Sequence, residues 1–140
     1  MSLAMTIEQR EQFLADLHVG IISIPRKSKG PLAVPIWYDY SPGGELRVIT
    51  NDTSIKGKLL KNASRISLCA QTEMEPYQYV SVEGPFSVRA TADGETLSMA
   101  IRYLGEEQGR AYAANSPDSD DSITVCLKPE TWFTVDYSKM

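Results

Sequence analysis

The 140-residue chain reads as one α+β domain built on a mostly antiparallel sheet. Three observations predict this. Six or seven short segments are rich in β-branched and aromatic residues, several of them alternating at the two-residue period of a strand. Helical stretches are few and short, and the chain lacks the βαβ alternation that a parallel sheet requires. At this length a single domain buries about 68% of its unfolded surface, so one core is expected. Closing the sheet into a barrel would remove its exposed edges.

Each element has a local signal. Thr6-Ile7-Glu8-Gln9 has the form of a capping box, and Phe13, Leu14 and Leu17 share one face, so residues 7–17 read as an amphipathic helix. A first strand runs from His18 to Ile24, followed by the polar turn Pro25 to Gly30. Strand two runs from Leu32 to Tyr40, with Leu32, Val34, Ile36, Tyr38 and Tyr40 on one side and Ala33, Pro35, Trp37 and Asp39 on the other. Ser41-Pro42-Gly43-Gly44 is a hairpin turn into strand three, Glu45 to Thr50. The turn Asn51-Asp52-Thr53-Ser54 leads to a short helix, Ile55 to Lys61, and strand four, Arg65 to Ala70. Pro76 breaks the chain before a long strand from Tyr77 to Ala90, expected to kink at Gly84-Pro85. Leu97, Ala100, Ile101 and Leu104 recur at helical spacing between an Asp93 cap and a Gly105 stop, and Glu106 to Ala114 reads as a second helical segment. Residues 115–121 are acidic and polar, the loop expected to be most mobile. Ile123, Val125 and Leu127 alternate in a sixth strand, and Pro129-Glu130 turns the chain into the last one, Thr131 to Tyr137. One domain over residues 6–137 is expected, with residues 1–5 a disordered or artificial leader.

Composition narrows the function classes. Net charge is −4 and the basic residues form no long stripe, which argues against nucleic-acid binding. No apolar run approaches the ~20 residues of a membrane span. Cys69 and Cys126 lie in strands with no signal segment before them, as expected for two reduced thiols in a cytoplasmic protein. The single histidine, His18, sits at a helix–strand junction and reads as structural, so a Ser/His/Asp set is not supported. Two cysteines and one histidine match no zinc spacing, and neither a Walker nor a dinucleotide-binding glycine motif is present.

That poverty of acid–base and metal chemistry suits a protein that holds a redox cofactor, since the cofactor performs the hydride transfer while the protein binds and orients it. The segment from Glu45 to Leu68 carries the best anion site: strand, hydroxyl-rich turn, then a helix opening with Ser54 and Lys56. Helix N-terminal N–H groups and a nearby ammonium favour a phosphate; the plain alternative is a capped helix with solvated lysines. Residues two apart on a helix point about 200° apart, so either Lys56 belongs to the entry turn and both lysines reach one phosphate, or only one of them binds. Lys61 and Arg65 read as a solvated face, as does the cluster Arg26, Lys27 and Lys29. Glu83, a charge inside an apolar strand, either faces solvent or pairs with a basic residue.

In order and spacing, Leu32 to Tyr40, the Glu45–Leu68 segment and Tyr79 to Val88 together resemble the pyridoxamine-phosphate-oxidase-like flavin-binding split-barrel family, most of all its actinobacterial flavin- and deazaflavin-dependent oxidoreductase branch. The resemblance covers residues 6–137. It implies a six-stranded split barrel, a homodimer with two cofactor sites along the subunit interface, and hydride transfer to or from a small organic substrate. Flavin mononucleotide (FMN) is the implied cofactor, with the deazaflavin coenzyme F420 as the alternative; a non-catalytic flavin or haem carrier is the alternative function. Residues that would recognise pyridoxamine phosphate are not identifiable, so that oxidase activity is not expected. The implied ring contacts are the backbone around Pro35, Ile36, Trp37, Val48, Ile49 and Thr50, with Asn51 and Thr50 adding side-chain bonds. Ser54, Lys56 and Lys58 would hold the phosphate, and Gln71 would stand near the cofactor. Trp37 and Trp132 are candidate walls, Trp132 from the partner subunit, while Tyr77 and Tyr79 fit packing equally well.

Overall fold

The structure is a computed structural model that describes residues 2–116, 118 and 120–140. Eight strands form one antiparallel sheet, rather than the six expected. In chain order the elements are α1 (Ile7–Ala15), β1 (Gly20–Arg26), β2 (Lys29–Ile36), β3 (Asp39–Tyr40), β4 (Leu46–Asn51), α2 (Ile55–Leu60), β5 (Arg65–Gln71), β6 (Gln78–Ala90), α3 (Glu95–Leu104), α4 (Glu106–Asn115), β7 (Ser122–Leu127) and β8 (Thr131–Asp136), ending in a 3-10 turn, Tyr137–Lys139. The spatial order is β2-β1-β5-β6-β7-β4-β3, with β8 added alongside β6.

Alternation makes the barrel. Ile22 and Ile24 of β1, Val48 of β4, Ile66 and Leu68 of β5, Val80 and Val82 of β6, and Val125 and Leu127 of β7 all point into one core cluster. Burying each such aliphatic side chain contributes ~1.5–3 kcal/mol. Tyr38 is fully buried among them, and its hydroxyl donates to the Leu14 carbonyl at 2.6 Å. Burial raises its pKa far above the usual tyrosine value.

The long β6 serves two parts of the sheet. Its first half pairs with β5 and β8, and its second half, Phe86 to Ala90, pairs with β7. Gly84, where a bend was expected, lies between them in a continuous strand, and a Cβ there would come within 2.0 Å of the Lys128 carbonyl oxygen. Only glycine allows the strands to cross this closely.

Several boundaries differ from expectation. The second strand divides at Trp37-Tyr38 into β2 and β3, where the Tyr38 N–H and C=O bond to the Tyr103 hydroxyl and the Arg102 guanidinium of α3 instead of to a neighbouring strand. Its inside–outside alternation holds across the break. Helix α1 stops at Ala15, and Leu17 is left exposed. The cap of α3 is Gly94, in a left-handed conformation, and not Asp93; the Glu95 side chain instead accepts from the Ala92 N–H at 2.6 Å. Leu3 accepts a hydrogen bond from the Asp136 N–H at 2.8 Å and Met5 is buried, so residues 3–5, expected as a leader, run against the end of β8. The segment 115–121, expected as the most mobile loop, lies partly outside the described residues. Both cysteines are free, and among the described residues no helix is long and apolar enough to cross a membrane.

Candidate functional site at the barrel split

The sheet does not close completely. Among the described residues, β2 pairs only with β1, and β4 pairs with β3 only at Leu46 and Arg47. Each strand therefore presents an edge along the split, β2 up to Ile36 and β4 from Val48 to Asn51. Edge-strand N–H and C=O groups without ladder partners are ready donors and acceptors. These are the stretches that the sequence resemblance marks for ring contacts.

Side chains beside the split form an apolar cleft of 350 Å³, lined by Val19, Pro35, Ile36, Trp37, Ile49, Thr96, Met99 and Tyr112. Four of the expected cofactor residues thus meet in one place: Pro35, Ile36 and Trp37 from β2 and its exit, and Ile49 from β4. Val48 points into the core, so only its backbone is available. Pro35 and Val19 also border a broader cleft of 770 Å³ that holds Gln71 and His18.

Helices α3 and α4 build the opposite wall, which the sequence reading did not assign to the site. Tyr103 stacks on Trp37 with ring centroids 4.9 Å apart and planes within 5°. Its hydroxyl donates to the His18 carbonyl at 2.6 Å and accepts from the Tyr38 N–H at 3.0 Å. Arg102 donates to the carbonyls of Tyr38, Ala15 and Asp16 at 3.1, 3.2 and 3.2 Å. These bonds clamp the last turn of α3 onto the end of α1 and the β2–β3 break. Tyr112 of α4 stands 5.4 Å from the Trp37 ring, tilted by 50°. The 99/103 spacing of Met99 and Tyr103 is one helical stripe and was visible in the sequence; what the stripe covers was not.

The α2 end follows from local chemistry. Ser54 is the N-cap, its Oγ accepting from the Gly57 N–H at 3.0 Å and donating to the Asn51 carbonyl at 2.6 Å, with the Thr50 hydroxyl 3.2 Å away. Gly57 lets the helix press on β4, since a Cβ there would lie 2.2 Å from the Asn51 carbonyl oxygen. Lys56 and Lys58 both lie within α2, Lys56 half-buried in its first turn and Lys58 exposed. Lys61 pairs with Asp52 at 3.5 Å.

Other candidates lie elsewhere. Trp132 packs edge-on against Tyr40 at 6.3 Å beneath the Arg10 guanidinium, outside the cleft of its own chain. Glu83 makes a two-pronged pair with exposed Arg65, which holds its carboxyl down at about 2. His18 stacks on Phe13 at 4.3 Å, with its Nε2 buried and unpartnered; burial lowers its pKa, opposed by Asp16.

No protein-family model and no curated protein matches this chain. Solved structures do. A conserved hypothetical protein, Rv2991, from Mycobacterium tuberculosis superposes with a TM-score of 0.79 at 17% identity, over 99% of this chain and 89% of that one. An F420 reductase superposes with a TM-score of 0.70 at 19% identity, over 88% and 94% of the two chains. A FAD-binding protein from Mesorhizobium loti gives 0.66 at 15% identity, over 94% and 93%. The fold is a split barrel. The proteins of similar fold include, by name, an F420 reductase, a FAD-binding protein and a haem-binding protein from Mycobacterium smegmatis.

Proposed function

We propose that this chain is a flavin-type oxidoreductase that binds its cofactor ring along the split and exchanges hydride with a small organic substrate. The observation that supports this most is the pair of facing strand edges, β2 to Ile36 and β4 from Val48, beside an apolar cleft. A flavin ring needs both: hydrogen-bonding backbone along its polar edge and apolar side chains against its face. Ser54, half-buried Lys56 and Lys58 at the start of α2 would receive the phosphate, and Asn51 and Thr50 would add side-chain bonds to the ring. When bound, the cofactor supplies the hydride chemistry; the chain's own groups orient it and exclude water.

FMN is the cofactor we favour. Lys56 and Lys58 suffice for one phosphate, whereas the extra basic cluster Arg26, Lys27 and Lys29 lies at the tip of the β1–β2 hairpin. Coenzyme F420, with its anionic tail, is the ligand to compare, and the F420 reductase among similar structures supports testing it. A visible spectrum of the purified protein and fluorescence titration with each coenzyme at low and high salt decide the matter. FMN should bind more tightly under both conditions. Tighter, salt-weakened F420 binding would point to the tail; a Soret band, or no binding of either, would overturn the flavin reading.

A homodimer is part of the proposal. One row of the outer sheet face runs Pro35, Ile21, Cys69, Ser81, Phe133 across four paired strands and the added β8, without a charge. Phe133 is 64% exposed and stacks on Tyr79 at 6.1 Å. An uncharged row of this kind suits a second copy of itself, with the Arg65–Glu83 pair at its border, and the family resemblance supplies the two-fold arrangement. Analytical ultracentrifugation showing a cofactor-competent monomer at micromolar concentration would refute it. A cytoplasmic location is expected on the same reading.

A further inference from the structure

We infer that the cleft beside Trp132 is a second binding site, apart from the split, for a small organic carboxylate, and that Arg10 receives it. The cleft encloses 600 Å³ between α1, the β3–β4 hairpin and the β7–β8 turn. It shares no lining residue with the clefts beside the split, so the inference stands or falls independently of the cofactor reading.

Arg10 carries the argument. Its guanidinium lies over the Trp132 ring, 4.4 Å from the centroid, and its Nε is buried without an acceptor. Among the described residues the Arg10 side chain makes no hydrogen bond and no ion pair. A guanidinium carries five N–H donors, and leaving them unmatched in a half-buried position is costly. Stacking engages the face of the guanidinium and leaves the donors at its edge, where a carboxylate can meet two at once. The carboxylates that line the cleft, Glu11 and Glu45, do not fill this role. Glu11 accepts from the Tyr40 hydroxyl at 3.4 Å, and neither pairs with Arg10 or with the exposed Lys128 ammonium, the second cation of the lining.

Charge and shape then select the guest. Two unpaired cations attract an anion, while Glu11 and Glu45 raise the cost of every further negative charge. One carboxylate is therefore favoured over a dianionic phosphate. Trp132 is only partly buried and gives an apolar wall to the body of the ligand, and the Gly43-Gly44 turn lines the cleft with no side chain to obstruct it.

Trp132 can report on occupancy directly. The chain has two tryptophans, so a Trp37→Phe background leaves Trp132 as the sole tryptophan emitter. In that background benzoate should change the emission saturably. Benzamide, its neutral counterpart, and phenyl phosphate should each bind at least about five-fold more weakly. Arg10→Met, which keeps a long stem over Trp132, should weaken benzoate at least about ten-fold. Lys128→Ala, at an exposed position where folding is not at stake, should weaken it about three-fold. The inference is overturned if benzoate gives no saturable response, if benzamide or phenyl phosphate binds as tightly, or if both Arg10→Met and Lys128→Ala bind benzoate as the parent does.

Discussion

The two sides of the site are built by opposite means. The α2 end is local: Ser54, Asn51, Thr50 and Gly57 satisfy one another within eight residues of chain. The α3–α4 wall is remote: Arg102 and Tyr103 reach back to Ala15, Asp16, His18 and Tyr38, all more than sixty residues away. A cap can be rebuilt by water when it is lost, because its groups lie at the surface. A clamp on backbone carbonyls at the junction of three elements cannot be replaced so readily. The difference teaches that the binding end is robust and the covering wall is fragile.

The largest expected effect breaks the clamp. Arg102→Met removes charge-assisted bonds to three carbonyls and should cost about 2–4 kcal/mol of stability in urea unfolding. A loss below about 0.5 kcal/mol, the usual surface scale, would show that the wall is held by packing alone. Next is Lys56→Ala, which should weaken FMN by about 1–3 kcal/mol in a fluorescence titration, with Lys61→Ala nearly neutral. Unchanged affinity in Lys56→Ala would remove the phosphate assignment from α2. Ser54→Ala should cost only about 1 kcal/mol, the usual worth of an N-cap, so a larger loss in the same urea assay would mean that the α2 end is less local than it looks.

The subtlest test uses pH. His18, the junction that Tyr103 grips, has its folded pKa lowered mainly by burial. The fold therefore prefers the neutral ring, and stability is full above the ordinary histidine value of 6.5 and declines as pH falls below it. It is the single histidine, so the urea midpoint should drop between neutral and mildly acid pH, and His18→Gln should flatten that slope. The same slope in both proteins would locate the titration elsewhere.

Much of the framework was legible because its signals are short-range. The capping box at Thr6, the Ser54 cap and the inside–outside alternation of residues 32–40 each depend on a few neighbouring residues. That Pro35–Trp37 and Ile49 would stand together was legible only through the resemblance, which implied that the unpaired edges of β2 and β4 lie beside each other.

What the sequence by itself determined is the period of each strand, the place of each turn and the lysine-bearing helix after β4. Tertiary structure alone decided the rest. Trp37 and Tyr38 read as one strand with their neighbours by pattern, yet Tyr103 and Arg102 take the Tyr38 backbone groups and the strand divides there. Trp132, equally aromatic, falls against Arg10 and Tyr40 away from the cleft. Tyr112 and Met99 become cleft walls because Gly105 folds α4 back along α3 and the Arg102 clamp sets that pair over Ile49. Hydrogen-bonding caps and alternating faces act over a turn or two of chain. Which side chains share a cavity depends on how separate elements pack, and no local pattern carries that information.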